Sequence, residues 1–489
     1  MNLLSRLFAS AMPLALAACA AAGSALPSPQ IPASAQAPFV QSHAIGVVQF
    51  PARDDWWRLY NDPVLDGLVQ QSLVANRDLA VAIANLDIAR AALRGTRSER
   101  LPQTQINGGS QYGRAAGLDR TGGGQHSNWA FSTGLAVSYE VDLFGRVRND
   151  IRAAHADVDA AEADRDAVQV AVVAETTRAY ADIISSQRQL AVARHTVDLL
   201  DQSVVLAERR FRAGRTGRLD VVRIAALRDQ QRALIPQFQA DIDAATFRLA
   251  TLTGRTPAER PVIRTDAKLL QLAEPIPVGD GRALLARRPD VRAAERRVAA
   301  AGARVGVATA DLYPRITLGG ALATSASGIA SLFSGGAIGL ILGPLLNWSF
   351  PNQQAARARV AGAEAQGHAD LARFDKAVLT ALEETETALS RYAAEIEKRQ
   401  ALQSARDQAE QAARITRAQL REGRADSLAV LDAERTLAEA EADLAASDAR
   451  LADAQVDLFR ALGGGWQNGR APVASTARSE PSPVVTSAS

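Results

Sequence analysis

The stretch WAFSTGLAVSYEVDLFGRVR, residues 129–148, decides how the chain folds. Trp129, Phe131, Thr133, Leu135, Val137, Tyr139, Val141 and Leu143 occupy every second position. Between them stand Ala130, Ser132, Gly134, Ala136, Ser138, Glu140 and Asp142, all small or charged. This period of two predicts a strand with one apolar face, and at ~3.3 Å per residue its length is roughly 50 Å. Strands in globular domains are usually about five or six residues long, so this one is exceptional. After Gly145 the period changes and a helical run begins that reaches Phe211, about 100 Å at 1.5 Å per residue.

The same unit occurs twice. In the first copy, a helix over 65–100 stops at Leu101-Pro102. A polar, glycine-rich stretch over 103–128 then reads as a strand and a loop before the opening strand. The long helix turns at Arg212-Ala213-Gly214-Arg215-Thr216-Gly217, and a return helix runs from Leu219 to Thr253, kinked at Pro236. Residues 258–280 read as a linker. In the second copy, a helix over 281–312 stops at Tyr313-Pro314, and a strand places Ile316, Leu318, Leu322 and Thr324 on one face. Ser325–Gly336 reads as a loop, and a further strand carries Ile338, Leu340, Leu342, Leu346, Trp348 and Phe350. Helix resumes after Pro351, turns at Glu422-Gly423-Arg424 and returns to Leu458. Gly214 aligns with Gly423, Leu219 with Leu428 and Leu252 with Leu462, so an internal duplication of roughly 200 residues per copy is expected. The expected boundaries are 61–257 for the first repeat and 281–466 for the second.

The N-terminal 18 residues carry Arg6 and an apolar run too short to span a membrane, the pattern of a secretory signal. Cys19 follows Leu16-Ala17-Ala18 and is the only cysteine, so an internal disulfide is impossible. Its position predicts a lipoprotein whose mature chain begins with an acylated Cys19, and Ala20 after it points to the outer membrane. Residues 19–60 form an N-terminal extension whose Ala/Pro/Ser/Gln-rich part, 20–50, reads as a tether. It ends in Trp56-Trp57 and then Asp62-Pro63, an N-cap followed by proline at the first helical position. Residues 467–489 read as a disordered tail.

Composition narrows the function. A net charge of +2 with 22% charged residues gives no reason to expect nucleic acid. Aromatics are only 5%, which suits closely packed helices with Leu190, Ala193, Val197, Leu200, Val204, Ala207 and Phe211 as a coiled-coil seam. No 18-residue apolar helix follows the signal, so a membrane crossing would fall to strands. The five histidines are scattered with no cysteine partner, no cofactor is implied, and Asp290 and Glu295 are explained by a helix N-terminus. An enzyme is not expected. Four strands per chain cannot close a barrel, for which about eight are needed, and an open edge in lipid leaves backbone groups unpaired. Three chains would close twelve strands, with the helices continuing as a hollow cylinder. The expected fold is therefore an α+β membrane protein: a trimeric 12-stranded transmembrane β-barrel, four strands per chain, continuing into a helical barrel.

At this level the chain resembles the outer membrane factors (the TolC-like outer membrane efflux proteins), in the NodT-like multidrug efflux lipoprotein branch. The residues that carry the resemblance are Trp56-Trp57 with Asp62-Pro63, Tyr139–Arg146, Leu234-Ile235-Pro236, Leu252–Pro257, Arg288–Glu295, Ala310 with Tyr313-Pro314, and Ala461–Trp466. It implies a homotrimer in outer membrane lipid, with a periplasmic α-barrel and an equatorial collar. It also implies a periplasmic adaptor and an inner-membrane RND-type pump as partners, and drugs or other small toxic compounds as cargo. By the same resemblance, Asp432, Leu428 and Arg435 belong to a periplasmic gate. Arg212, Gly214, Gly217 and Leu219, with Arg421, Gly423 and Ser427, form the tips that meet the adaptor. Ala429 stands where some relatives carry a second aspartate. Metal-cation efflux, type I protein secretion and a coiled-coil envelope scaffold remain alternative readings of the residues.

Overall fold

The structure is a computed structural model that describes residues 29–113, 128–264, 270, 272, 274–326, 329–333 and 338–466. The expected signal sequence, Cys19 and the 467–489 tail lie outside the described residues. Two compact units divide the chain. One contains Val81–Arg165 and Pro289–Leu382 with the segment ending at Gln36; the other contains Ala37–Ala80, Asp166–Arg288 and the chain from Glu383 onward.

The first unit holds a four-stranded antiparallel sheet in the order β2-β3-β5-β6, with β2 Gln103–Gly113, β3 Asn128–Val141, β5 Arg315–Ala326 and β6 Ile338–Asn347. Register puts Ile106, Leu135, Leu322 and Leu340 opposite one another, and likewise Val137, Gly320 and Leu342. One face of the sheet is therefore a continuous apolar surface. Leu318, Leu322, Leu340 and Leu342 on it are exposed, as a lipid-facing surface requires. The opposite face carries Gln105, Ala136 and Ala321 in one row and Asn107, Gly134, Ala323 and Gly339 in the next. The outer rims of β2 and β6 have no strand partner among the described residues.

The exit from β3 explains the Glu-x-Asp-x-x-Gly-Arg pattern. Gly145 turns the chain at φ 78°, and Asp142 accepts from the N–H groups of Val147 (3.1 Å) and Arg148 (2.9 Å), capping α3 (Arg146–Arg212). Arg146 donates to Glu140 at 2.7 Å and to Glu99 at 3.0 Å, tying the helix start to the strand end. Phe144 stacks on Tyr313 at 4.6 Å, joining the strand–helix exit of one repeat to the helix–strand entry of the other. Leu93 of α2 (Arg77–Ser98) packs with Val147 and Ile151 of α3.

The second unit gathers the short motifs into one knot. Trp56, fully buried, stacks on Phe459 at 4.6 Å. Asp62 caps α1 (Pro63–Ala75) by accepting from Val64 N–H at 2.8 Å, and its other oxygen accepts from Tyr180 Oη at 2.8 Å. Trp466 Nε1 donates to the Arg287 carbonyl, and Gln169 donates to that of Gly465, each at 3.1 Å. Arg288 donates to the Ala461 carbonyl at 3.0 Å and to Glu384 at 2.7 Å.

Several expected elements differ. The helix over 65–100 is two helices, because Asn76 both ends α1 and caps α2 through its side chain, which accepts from Leu79 N–H at 3.0 Å. The return helix does not merely kink at Pro236. It breaks into α4 (Arg218–Arg232) and α5 (Ile235–Leu252), with the proline in the first turn of α5, where its missing N–H costs no helical bond. The helix over 281–312 is also two, α6 (Gly281–Arg287) and α7 (Pro289–Ala310), since Arg288 precedes a proline and turns extended at ψ 122°. The tether reading fails from residue 33 onward. Phe39 is buried, and the N–H groups of Val40 and Gln41 donate to Glu386. Val47-Val48 (β1) pairs in parallel with Ile276-Pro277 (β4), so part of the 258–280 linker is a strand.

Candidate functional site

The expected site lies at the turns of two helical hairpins in the second unit, α3–α4 and α8–α9, where α8 is Gln354–Arg421 and α9 is Ser427–Ala461. Both turns use the same cap. Arg215 N–H donates to the Arg210 carbonyl and Arg424 N–H to the Gln419 carbonyl, at 2.9 and 2.8 Å. Gly214 and Gly423 supply the required left-handed residue at φ 66° and 75°. The helices that follow start differently. Gly217 offers no side-chain cap to α4, whereas Asp426 accepts from Ala429 N–H at 2.8 Å to cap α9. Thr216 Oγ1 donates to Asp220 at 2.5 Å.

Arg212, Leu219 and Arg421 are exposed, with Arg212 3.8 Å from Glu208, and Ser427 is the first residue of α9. The structure therefore brings these residues to two exposed turns. Within the unit, the hairpins meet where Leu431 packs on the cluster of Val204, Ala207 and Ile224 and where Arg210 donates to the Leu420 carbonyl at 3.1 Å.

Leu428, Asp432 and Arg435 fall on one exposed stripe of α9, spaced four and three apart, with Leu428 50% exposed. Arg435 does not pair with Asp432. It donates to Glu439 at 2.8 Å, and that hydrogen bond holds its guanidinium above its ordinary pKa, with Asp432 a lesser contributor. One chain supplies one Asp432, so a ring of carboxylates requires further copies.

Glu434 was not singled out by the sequence reading. Its side chain is 8% exposed and accepts from Arg417 Nη2 at 2.8 Å across the α8–α9 turn. The available signal was an acid lying on the seam between Leu431 and Leu437. Higher up, Asp201 holds Arg228 and Arg232 of α4, at 3.3 and 3.0 Å. Among the described residues no group of three His, Cys, Asp or Glu could hold a metal, and no helix is long and apolar enough to cross a membrane.

A four-stranded sheet with one exposed apolar face is the mark of a chain that meets membrane lipid. The chain belongs to the outer membrane efflux protein family, whose model matches residues 68–255 and again 281–464. It is 32% identical over 422 residues to the outer membrane protein OprJ of Pseudomonas aeruginosa, covering 86% of this chain and 88% of the relative. It is also 32% identical over 458 residues to the toluene efflux pump outer membrane protein TtgC of Pseudomonas putida, covering 91% and 93%. Among solved structures, the outer-membrane channel OprN superposes with a TM-score of 0.84 at 35% identity, covering 90% of this chain and 99% of that one. The protein is thus an outer-membrane efflux channel of a Gram-negative bacterium, in a family of transport proteins rather than enzymes. The reading as an envelope scaffold is set aside.

Proposed function

We propose that three copies close their four-stranded sheets into a twelve-stranded barrel in the outer membrane. The helical hairpins then continue as a periplasmic tunnel, with a collar built around the shorter helices. The observation that carries this reading is the sheet itself: an apolar face on one side, mostly small and polar residues on the other, and two edges with no strand partner among the described residues. In hydrocarbon such edges must be paired, and barrel closure between copies is the way to pair them. The two matches of the family model to separate halves support an origin by internal duplication. The channel is passive, and its cargo is drugs or other small toxic compounds, as the names of efflux relatives such as the toluene pump component suggest. Arg212, Gly214, Gly217 and Leu219, with Arg421, Gly423 and Ser427, meet a periplasmic adaptor that couples the channel to an inner-membrane RND-type pump. Cys19 carries the lipid anchor.

Asp432 forms the gate ring, with Leu428 an apolar constriction one turn away and Arg435 beside it. Three converging carboxylates repel one another and attract cations. Single-channel recording in planar bilayers, wild type beside Asp432→Ala, tests this. Cation-favouring pores whose selectivity weakens in the variant support both channel and ring. Unchanged selectivity returns Asp432 to an ordinary surface residue, and pore-free protein that also lacks a heat-modifiable trimer on a gel refutes the barrel. In the same preparations, Cys19→Ala should abolish incorporation of labelled palmitate; a labelled variant refutes the anchor.

A further inference from the structure

The polar face of the sheet has two residues that break its rule. Along β6, Ile338, Leu340 and Leu342 belong to the apolar face, yet Ile341 and Leu345 on the opposite face are aliphatic too. Ile341 shares a row with Gln105, Ala136 and Ala321, and Leu345 shares one with Glu140 and Thr317. Both stand clear of the surface, 75% and 64% exposed. The backbone is shaped around this arrangement: a Cβ added at Gly319 would lie 3.2 Å from Leu345 Cδ1. The next row toward the helices pairs Arg315 with Asn347, and there Arg315 lies 3.9 Å from Glu140 and 3.3 Å from Asp311. Leu345 thus stands level with Glu140, one row beyond Arg315, and Ile341 lies two rows further on, along a wall whose other residues are small or polar.

Exposed aliphatic area in water is unfavourable, and β6 needs none on this face to satisfy its lipid side. We infer that Ile341 and Leu345 form an apolar contact lane on the pore wall, which begins level with Glu140 and takes the hydrophobic part of a solute that has passed Arg315. This rests on the barrel reading above, which turns the polar face inward. Successive weak apolar contacts favour entry of such solutes without holding them, as conduction requires.

Two measurements in planar bilayers test the lane. In the first, Ile341→Cys and Leu340→Cys are exposed to a charged, membrane-impermeant methanethiosulfonate, with wild type as the control for Cys19. The Ile341 variant should show a stepwise loss of conductance and the Leu340 variant none. In the second, Ile341→Ser/Leu345→Ser should lower the permeability of tetrabutylammonium relative to tetramethylammonium about three-fold, the scale expected for losing part of two aliphatic contacts, with potassium conductance unchanged. An unreactive Ile341→Cys would mean that a neighbouring chain covers the patch, and an unchanged permeability ratio would mean that solutes ignore it; either overturns the lane while the channel stands. Wild-type protein that forms no pores and no heat-modifiable trimer on a gel overturns the barrel reading and the lane with it.

Discussion

Replacing Gly254 with alanine should be far more damaging than the same change at Gly214, although the two glycines close their helices alike. Gly254 has φ 72° and Gly214 φ 66°, and each is followed by the same closing bond, Arg255 N–H to the Ala250 carbonyl and Arg215 N–H to the Arg210 carbonyl. The left-handed conformation costs a residue with a Cβ about 1 kcal/mol at either site. The surroundings separate them. At Gly214 nothing lies within 4 Å of an added Cβ, but at Gly254 that atom would lie 2.6 Å from the Ala75 carbonyl oxygen and 3.0 Å from the Ala75 Cβ. The end of α1 cannot yield easily, because Asn76 donates to the Leu252 carbonyl at 3.3 Å and holds the two helices together. Forcing such a packed contact apart adds about 2 kcal/mol, so Gly254→Ala should cost about 3 kcal/mol and Gly214→Ala about 1. Urea unfolding followed by tryptophan fluorescence suits the comparison, since Trp56, Trp57 and Trp466 belong to the same unit as both glycines. Gly423→Ala, equally uncrowded at φ 75°, serves as a second control. If Gly254→Ala shifts the midpoint no more than the controls, the crowding argument is refuted.

Removing Arg417 by alanine substitution strips the buried Glu434 of its charge partner and should cost about 3 kcal/mol in the same assay. Adding Glu434→Leu should recover most of that loss, and a single-variant cost under about 1 kcal/mol would show the pair to be a weak surface bridge. Asp453 provides a pH test. Burial, with Asp182 and Asp457 nearby, pushes its carboxyl up from 3.8 to about 6 against the opposing pull of Arg178. The folded chain therefore holds this proton to a higher pH than the unfolded chain does, so the ionisation penalty is absent below 3.8 and grows until about pH 6. Stability should fall as pH rises through that window and Asp453→Asn should flatten the dependence, with urea midpoints at pH 4.5 and 7 as the check; an unchanged slope refutes the assignment.

The hairpins were legible because alternation from Trp129 and from Ile338 is a local signal that needs no knowledge of what lies opposite, although the strands end at Val141 and Asn347, short of Leu143 and Phe350. The glycine caps at Gly214 and Gly423 were legible for the same reason: only a left-handed turn explains glycine there. The breaks at Asn76 and Arg288 were not. A residue that ends one helix and caps the next looks helical from either side, and what fixes Arg288 is its reach to Ala461 and Glu384, far along the chain. The ordering of 33–50 was hidden similarly, since Glu386, which holds Val40 and Gln41, is hundreds of residues away. At the proposed gate, the family resemblance singled out Leu428, Asp432 and Arg435 but could not choose a partner for Arg435, because Glu439 on the same helix competes with Asp432.

The rims of β2 and β6, without strand partners among the described residues, have a consequence for how the protein is made. A lone chain entering lipid would strand a full row of backbone donors and acceptors on each side, at several kcal/mol per group. In the barrel proposed above, entry into the membrane and recruitment of sibling chains are therefore one event, with no stable half-built pore along the way. A copy with one spoiled rim would consume sound siblings without completing a pore, so even a minority of such chains would silence more than its own share of channels.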